Sequence, residues 1–476
     1  MESLKVKVFM QLNEQFIRSA LPDAQISGSL STEQVEAFSV NADTVGSSDM
    51  FVILEREEDT IDQDTIVQTL HTACGVLISR DQSRFLELHS KILAQKFVVL
   101  VEDATEALVL LAREWRALFS IPIMAIAGSV GKTSTQKLLD NILKSAGKKY
   151  LLSSEHDNRF PILDAALSLL SLRGSHDGAL FEVGVTKRGQ MEKLAALIKP
   201  TTALITNIGH SHMEGIGSLS DVALEKREVF KHFLTDSIGL INGDFTLLNS
   251  VSYAHPIIRF GTKTTNQIQA RKINVESGLI HFTLKIYKAK YQISINHPHM
   301  SAVFNTLAAT AAAYYLKIPV EKIVLAIQQP FGISERFELC HPASRRGIII
   351  NDACNANPES MKASLLAFQH VETNAPKVAV LGDMLDLGPT SAFWHRQLGR
   401  FLRKVPSLQQ VVLVGAMMIK WAKKTVPATL NVHIAHTWQE AVPIVKQYLD
   451  KESIVLIKGS QDTGLSKITK QLLDQI

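Results

Sequence analysis

Residues 123–139 restrict the possible folds of this chain more than any other stretch. They read IMAIAGSVGKTSTQKLL, an apolar run followed by a glycine-containing turn and a segment with helical spacing of apolar residues. A strand that turns through glycines into a helix presents backbone amides and the positive end of the helix dipole to an anion. A full phosphate loop has a glycine five residues before its Gly-Lys, where this chain has Ile126. The pattern therefore predicts a strand–loop–helix unit that binds phosphate through a shortened loop.

This loop carries the groups that a nucleoside triphosphate requires. Gly128 and Gly131 would let the backbone approach the anion closely. Lys132 would neutralise the β- and γ-phosphates, and the Thr133 hydroxyl would reach a magnesium ion. The alternative is an ordinary strand–turn–helix whose lysine is merely exposed. The apolar strand directly before the loop favours phosphate binding over that alternative.

Short apolar runs alternate with helical segments along most of the chain, which predicts parallel sheets with helical crossovers. One alternation begins at IMAIA and a second begins after about residue 333 with GIIIND, while the first 118 residues mix strands such as FVVLVED with helices. We therefore expect an α/β protein of three domains. These are an N-terminal mixed α/β substrate domain (1–118), a central P-loop ATPase-like domain with a parallel sheet (119–333) and a C-terminal Rossmann-like α/β domain (334–476).

Two stretches interrupt the central alternation. Residues 279–295, LIHFTLKIYKAKYQISI, alternate apolar with polar side chains, so we expect an antiparallel hairpin lying over one side of the central domain. Residues 301–316, SAVFNTLAATAAAYYL, are rich in alanine and predict a buried helix.

Composition excludes several classes of function. At 476 residues the chain is too long for one core, and 46% hydrophobic with 20% charged residues is typical of a soluble globular protein. The net charge of +4 is small and no basic block is interleaved with aromatics, so we expect no nucleic-acid partner. The three cysteines are far apart, which argues against a disulfide framework and a Cys-x-x-Cys metal site.

The start of the chain and the length of its apolar runs indicate a cytoplasmic protein. The start of the chain, MESLKVKVFMQLNEQF, has scattered charges and lacks the uninterrupted apolar core of a signal peptide. No apolar run approaches the roughly 20 residues that cross a bilayer. We therefore expect no membrane insertion.

Further polar residues fall at the ends of later strands. Glu182 ends GALFEVG, and His212 and Glu214 follow TALITNIG. Because α/β sheets bind ligands at the carboxyl ends of their strands, an acid and a histidine there suit a magnesium site beside a triphosphate. The alternative for each residue taken alone is a capping or solvated side chain.

In combination these residues resemble the Mur ligase family, whose central domain uses a shortened Gly-x-x-Gly-Lys-Thr loop. The resemblance runs from about residue 95 to 460 and includes TNIGHSHMEGIGSLSDVALEKREVF. NDACNANPESMKASL and LGDMLDLG are similar to the branch that adds D-alanyl-D-alanine. The family does not use a glycine at the position of Ile126, so its absence is no defect.

The resemblance implies a monomeric, ATP-dependent ligase that joins D-Ala-D-Ala to UDP-N-acetylmuramoyl-tripeptide through an acyl phosphate, with ATP and two magnesium ions. Lys132, Lys226 and His212 would be catalytic, Lys226 after carbamylation. The nucleotide would be bound by Gly128, Ser129, Gly131, Lys132, Thr133, Ser134, Asn305, Arg336 and Asp352. Magnesium would be bound by Thr133, Glu182, His212 and Lys226. The substrates would contact Asn158, Asn355, Asn357, Ser360, Asp383 and His395.

The chain departs from the family at several positions. The usual Asp-Ser-Arg for the uridine nucleotide is Asn41, Ala42 and Asp43, and of the usual Asn-Asn-acid segment at most Asn158 remains. Cys354 replaces a tyrosine and Glu335 replaces the glycine before Arg336. Gln461 and Ser466 stand where the D-Ala-D-Ala branch has arginine and glutamate. The ATP site therefore matches the family better than the donor site does.

Three alternatives follow from these departures. One is a related ligase with a different carboxylate donor or amine acceptor, and another is a family member without turnover. The residues at 132, 133, 182, 212 and 226 are all retained, which argues against the second. A P-loop kinase or GTPase is disfavoured, because the chain lacks the Asn-Lys-x-Asp guanine signature and the C-terminal α/β domain would have no explanation.

Overall fold

The computed structural model describes residues 11–54, 63–153, 160–276, 278–297, 299–342 and 346–473. Three β-sheets of five, nine and six strands follow one another along the described chain. Helices connect most of the parallel strands, as the alternation of apolar and helical segments predicts. The expected α/β class with three successive sheets is confirmed. None of the helices within the described ranges is both long enough and apolar enough to cross a membrane.

The first sheet has the strand order β1-β5-β4-β3-β2, in which only β1 runs antiparallel to its neighbour. Its strands are β1 (Gln25–Ser27), β2 (Phe38–Ser39), β3 (Met50–Ile53), β4 (Gly75–Ser79) and β5 (Phe97–Val101). The helices of this part are α1 (Glu14–Ala20), α2 (Gln63–Thr72), α3 (Ser83–Leu88), α4 (Ser90–Leu93) and α5 (Ala104–Ala117).

The nine-stranded sheet has the order β14-β13-β12-β11-β10-β9-β6-β8-β7, and its strands from β7 to β12 pair in parallel. The strands are β6 (Ile123–Ala127), β7 (Tyr150–Leu152), β8 (Gly178–Glu182), β9 (Thr202–Ile205), β10 (Ile238–Asn242), β11 (Ile257–Gly261), β12 (Ile268–Glu276), β13 (Leu279–Ile286) and β14 (Ala289–Ile295). The helices are α6 (Lys132–Ser145), α7 (Pro161–Leu170), α8 (Gln190–Ile198), α9 (Met213–Ile216), α10 (Leu219–Arg227), α11 (Thr246–Asn249), α12 (Ser301–Tyr315) and α13 (Val320–Ala326).

The expected hairpin is present as β13 and β14, but it extends the edge of the sheet through β12 instead of lying over one side of the central part. Its buried face, which includes Phe282 and Leu284, belongs to the same apolar core as α12. The alternation of side chains identified the strands. It did not reveal which neighbour they pair with, because pairing depends on the position of β12.

The six-stranded sheet has the order β15-β16-β20-β17-β18-β19, with only β15 antiparallel. Its strands are β15 (Glu338–Cys340), β16 (Ile348–Asn351), β17 (Lys377–Gly382), β18 (Leu408–Val414), β19 (Asn431–Ala435) and β20 (Ile454–Lys458). The helices are α14 (Pro358–Gln369), α15 (Ser391–Phe401), α16 (Trp438–Asp450) and α17 (Ser466–Leu473).

Helix α5 joins the first two sheets, although it precedes the expected boundary at residue 118. The indole of Trp115, which is fully buried, donates to the carbonyl of Leu172, and the Arg116 side chain donates to the carbonyl of Ile198. Both sheets contribute residues to one continuous apolar core around this helix. The first sheet is therefore packed against the second through α5.

Candidate active site

The phosphate loop lies where three strand ends meet. Strand β6 pairs with β8 on one side and with β9 on the other, all in parallel. Their carboxyl ends therefore bring together the loop at 128–131, Glu182 at the end of β8, and Thr206 and Asn207 just after β9. The sequence predicted Glu182 at this edge of the sheet, but it did not predict the side chains of Thr206 and Asn207 there.

The backbone of this loop requires its two glycines. Gly128 has φ 146° and Gly131 has φ 82°, in the region that other residues rarely adopt. A side chain at Gly128 would also collide with Thr206, and one at Gly131 would collide with Asn305. Gly131 is the N-cap of α6, so an anion bound at this position would meet the amides and the positive dipole end of the first helical turn.

Asn207 holds the loop in place, a contact that the sequence analysis did not identify. Its Oδ1 accepts hydrogen bonds from the amides of Ser129 (3.1 Å) and Val130 (3.0 Å), while its Nδ2 donates to the carbonyl of Val130. The Thr206 hydroxyl donates to the same carbonyl at 2.7 Å. The Thr-Asn of TNIG, quoted above only as a family motif, therefore fixes the loop through direct hydrogen bonds.

The side chains expected at the triphosphate contact each other. The Thr133 hydroxyl donates to Glu182 Oε1 at 3.0 Å, and Lys132 Nζ lies 3.4 Å from the same oxygen. From the C-terminal part, Arg336 donates to the Thr133 hydroxyl at 3.4 Å. Two cations, one carboxylate and one hydroxyl thus converge beside the loop. A hydroxyl and a carboxylate are oxygen ligands of the kind that Mg²⁺ takes together with substrate phosphates, so these residues fit the ion.

Lys226 is buried behind the loop. It is 1% exposed, and its Nζ donates to the carbonyl of Gly128 at 3.1 Å. Burial, together with the positive charge of Lys132, lowers the pKa of Lys226 to about 7 from a usual value of 10.5, and the Glu225 carboxylate opposes the shift only in part. A large fraction of this amine is therefore neutral near pH 7, which is the form that reacts with carbon dioxide.

A cavity of about 290 Å³ lies between the loop and the C-terminal part. Twelve of the residues that the sequence analysis assigned to ATP, magnesium or the substrates line it: Ser129, Gly131, Lys132, Thr133, Ser134, Glu182, Asn305, Arg336, Asp352, Asn355, Asn357 and Ser360. The tertiary structure thus brings together residues that lie more than 200 positions apart in the chain.

The cavity also has an aromatic wall that the sequence analysis left unassigned. His297, His299 and Phe337 line it, with the Phe337 ring centre 6.2 Å from that of His297 and 5.7 Å from that of His299. Burial lowers the pKa of His299 to about 4, so its ring is neutral at pH 7. Its Nδ1 accepts a hydrogen bond from the amide of Ser301 at the start of α12. Two histidines before a helix give no sequence signal for such a wall, because Phe337 joins them from about 40 residues further along the chain.

Asp352 belongs to a buried polar cluster at the C-terminal side of the cavity. Its Oδ2 lies 3.0 Å from Lys458 Nζ and accepts a short hydrogen bond from the Ser364 hydroxyl. Its Oδ1 accepts from the amide of Phe337 at 3.3 Å. Asp352 therefore fixes the segment that carries Arg336. Lys458 was not among the expected site residues.

The Asn-Ala-Asn-Pro segment has a clear local role. Asn357 is the N-cap of α14, and its Oδ1 accepts from the amide of Ser360 at 2.8 Å while the Ser360 hydroxyl accepts from the amide of Asn357 at 3.0 Å. Asn355 Oδ1 accepts from the amide of Ala356. All three side chains line the cavity, and Asn357 and Ser360 also stabilise the start of the helix, a contribution of about 1 kcal/mol for a typical N-cap.

Asp383 and His395 lie next to each other outside the cavity lining. Asp383 accepts hydrogen bonds from the amides of Met417 (3.1 Å) and Met418 (2.7 Å). His395 is 0% exposed, its Nε2 accepts from the amide of Met384 and its Nδ1 donates to the carbonyl of Ser391. Burial lowers the pKa of His395. Both side chains are occupied with backbone groups and position the loop after β17.

His212 is also apart from the residues that line the cavity. It has a left-handed backbone (φ 53°) at the N-cap of α9, and its Nδ1 lies 3.3 Å from Asp386 Oδ2. The amide of Glu214 donates to the carbonyl of Asp386 at 3.1 Å. His212 thus contacts the C-terminal part instead of Glu182. Asn158, the remaining expected residue, lies outside the described residues.

The likeness to known proteins covers nearly the whole chain. The model of the Mur ligase middle domain matches residues 126–313, and that of the Mur ligase, glutamate ligase domain matches residues 335–461. The UDP-N-acetylmuramoyl-tripeptide–D-alanyl-D-alanine ligase of Bacillus subtilis is 30% identical over 379 residues, which are 79% of this chain and 81% of that protein. The enzyme of the same name from Synechocystis is 28% identical over 474 residues, 96% of each chain.

Two solved structures have folds similar to that of this chain. The crystal structure of MurF from Acinetobacter baumannii has a TM-score of 0.81 at 24% identity and covers 98% of this chain and 100% of that one. MurF from Thermotoga maritima, solved in complex with ADP, has a TM-score of 0.73 at 21% identity and covers 93% of this chain and 99% of that one. Together with the two domain matches and the identity to the Bacillus subtilis enzyme, these likenesses show that the chain belongs to the Mur ligase family.

Proposed function

We propose that this chain is an ATP-dependent ligase that joins D-alanyl-D-alanine to UDP-N-acetylmuramoyl-tripeptide. The relatives that carry this name match the chain over up to 96% of its length. The observation that carries the proposal is the convergence of Lys132, Thr133, Glu182 and Arg336 on one cavity, with Lys226 buried behind it.

Peptide-bond formation from a carboxylate requires activation. A carboxylate oxygen of the donor attacks the γ-phosphorus of ATP, and ADP leaves with the electrons of the broken phosphoanhydride bond. The amine of the dipeptide then attacks the acyl carbon, phosphate leaves and the amine loses a proton. The first step brings two anions together, so a site for it must supply positive charge.

The residues around the loop would supply that positive charge and would orient the phosphates of ATP. Lys132 and the amides at the start of α6 would bind the β- and γ-phosphates, while Arg336 would reach the same phosphates from the C-terminal side. Magnesium, held through Thr133, Glu182 and a carbamylated Lys226, would supply further charge neutralisation. We propose His212 as a ligand of a second ion, which would require its ring to leave Asp386.

The domain boundaries at 118/119 and 333/334 are part of the proposal. The C-terminal part would bring Arg336 onto a nucleotide bound by the central part, and this closure would exclude water from the acyl phosphate. Asn355, Asn357 and Ser360 would line the acceptor side of the cavity. Asp383 and His395 would act by positioning the loop that follows β17, since both are occupied with backbone hydrogen bonds. We further propose that the enzyme is a cytoplasmic monomer.

A second candidate is a Mur-type ligase with a different carboxylate donor. It is favoured by residues 41–43, where the family's Asp-Ser-Arg is replaced. Asn41 caps a short 3-10 turn by accepting from the amide of Asp43 at 3.0 Å, and Ala42 is 8% exposed with its carbonyl accepting from Thr69. This segment presents no arginine to a uridine diphosphate.

Phosphate release from ATP tests both candidates. We expect release by the purified chain only when UDP-N-acetylmuramoyl-tripeptide and D-Ala-D-Ala are both present. Release with another carboxylate in place of the UDP-tripeptide would favour the second candidate. A complete lack of turnover with either donor, in a protein that still binds ATP, would contradict both.

A further inference from the structure

A strongly basic surface lies on the C-terminal part, away from the cavity. Residues 387–439 contain seven Lys and Arg residues and no Asp or Glu. Subtracting these seven from the 50 Lys and Arg residues of the chain leaves 43, against 46 Asp and Glu. The positive net charge of the protein therefore resides in this one stretch.

The fold gathers these cations on one face. Arg396, Arg400, Arg403 and Lys404 follow each other at helical spacing along α15 and the turn after it. Lys420, Lys423 and Lys424 lie on the helical segment 418–425, which packs against α15 where the Thr425 hydroxyl donates to the carbonyl of Arg396 at 2.8 Å. We call these seven residues the basic face. The sequence shows no single basic block because the face is assembled from two separate segments.

The charges of the basic face are available to a partner. Six of the seven residues are exposed and Arg396 is half-buried. Across the described ranges of the chain, no carboxylate lies within ion-pair distance of any of the seven, although Arg and Lys elsewhere form such pairs with Glu and Asp. None of the seven lines the cavity of the candidate active site. Like charges so close together repel each other, so binding of an anionic partner would reduce the repulsion among these seven cations.

Trp421 lies at the centre of the basic face. The charged groups of Arg396, Lys420 and Lys424 lie 5.1, 5.3 and 4.9 Å from its ring centre. Tryptophan is enriched at the boundary between lipid headgroups and water, where its ring is partly buried. A ring surrounded by the protein's own cations is a poor platform for stacking a nucleobase, which needs a free aromatic face. This combination favours a lipid surface over a nucleic acid.

We propose that the basic face binds an anionic phospholipid surface and holds the enzyme at a membrane without insertion. Clusters of four to eight Lys and Arg residues on an amphipathic helical surface are typical of such binding, which weakens as salt screens the charges. The proposal stands independently of the donor and acceptor assigned to the active site, since the basic face contacts neither.

Co-sedimentation with vesicles tests the proposal. We expect the wild-type chain to bind vesicles that contain phosphatidylglycerol and to remain unbound with pure phosphatidylcholine, with affinity that falls steeply as salt rises. The variant Arg400→Glu/Arg403→Glu/Lys420→Glu/Lys423→Glu should bind roughly a hundredfold or more weakly, because each lost cation weakens binding several-fold. A control variant, Lys91→Glu/Lys288→Glu/Lys290→Glu/Lys322→Glu, changes the net charge equally at exposed residues elsewhere and should bind like the wild type.

Several results would overturn the proposal. These are a lack of binding by the wild type, an equal loss in the control variant, or binding to an RNA oligonucleotide that is tighter than to vesicles and depends on the same four residues. A variant with glutamine at the four positions serves if the glutamate variant does not fold. Phosphate release in solution should be the same in all variants, which checks that they remain native.

Discussion

Lys226 donates a hydrogen bond of 3.1 Å to the backbone carbonyl of Gly128, and so connects a buried amine directly to the phosphate loop. The side chain is 1% exposed and its pKa is lowered to about 7. A lysine that is kept partly neutral beside the proposed magnesium site is poised to become a carbamate by reaction with carbon dioxide. This one contact leads to two predictions.

Lys226→Ala should be nearly inactive, because the carbamate oxygens that would bind magnesium are lost. Acetate or another small carboxylate at millimolar concentration should restore part of the activity, measured as phosphate release. Lys193, which is exposed on α8, gives a matched control: Lys193→Ala should keep wild-type activity and show no response to acetate. Rescue by small amines instead of carboxylates would mean that Lys226 acts as a cation.

Lys226 should also make stability depend on pH. Its pKa is about 7 in the folded chain and 10.5 when unperturbed, so between these values the unfolded state binds more protons and stability rises with pH. Below about pH 7 both states are protonated and the cost of burying the charge is constant. Lys226→Met should therefore be more stable than the wild type near pH 6, by on the order of 2–4 kcal/mol, with the difference shrinking toward pH 10. Guanidinium unfolding in carbon dioxide-free buffer measures this, and a difference that grows with pH would contradict it.

Lys132→Ala should lower ATP turnover by roughly a hundredfold or more while the fold is unchanged, because the change removes a phosphate-binding charge and no core side chain. Lys137, exposed on the same helix α6, provides the control, and Lys137→Ala should retain activity. Circular dichroism and unfolding curves verify that both variants are folded. Unchanged turnover in Lys132→Ala would exclude the loop as the ATP site.

Glu335 stands where the family has glycine, and the structure gives the reason for the glycine. Its φ is 58°, a left-handed conformation that costs a residue with a side chain about 1–2 kcal/mol. Glycine adopts this φ freely, but it loses more conformational entropy on folding than alanine does, which costs about 0.5–1 kcal/mol of stability. Glu335→Gly should therefore be as stable as the wild type or more stable by up to about 1 kcal/mol, whereas Glu335→Ala keeps the strain and should show no gain. Thermal unfolding of the two variants distinguishes these outcomes.

We expect this chain to use the family's acceptor but to bind the family's uridine-nucleotide donor more weakly. Asn355, Asn357 and Ser360 line the cavity, so we expect D-Ala-D-Ala to be used as the acceptor. The segment 41–43 lacks the family's arginine, and a lost charge-assisted hydrogen bond costs about 1.5–3 kcal/mol, or roughly ten- to a hundredfold in affinity. Calorimetric titration of each substrate, with a non-hydrolysable ATP analogue present, measures the two affinities separately. Tight binding of the UDP-tripeptide would show that other residues compensate.

Local patterns in the sequence predicted most of the secondary structure. Apolar spacing predicts helices at 190–198 and 358–369 and a strand at 123–127, and the structure has all three with these bounds. The spacing over 219–234 also predicts one helix, but the α-helix ends at Arg227 and the chain continues as a short 3-10 turn. The loop and the residues at the ends of β8 and β9 were also predictable, because parallel strands end at the same edge of a sheet.

Only the tertiary structure decided how distant segments meet. No local pattern shows that Arg336 reaches Thr133, that α5 is packed on the central part or that the hairpin continues the nine-stranded sheet. No local pattern shows that the side chains of His395 and Asp383 accept hydrogen bonds from backbone amides, or that two separate segments form the basic face. Local spacing depends on the geometry of a single helix or strand, whereas these contacts depend on packing between elements. For this chain the sequence determined the elements and the phosphate loop, and long-range packing determined the cavity around it.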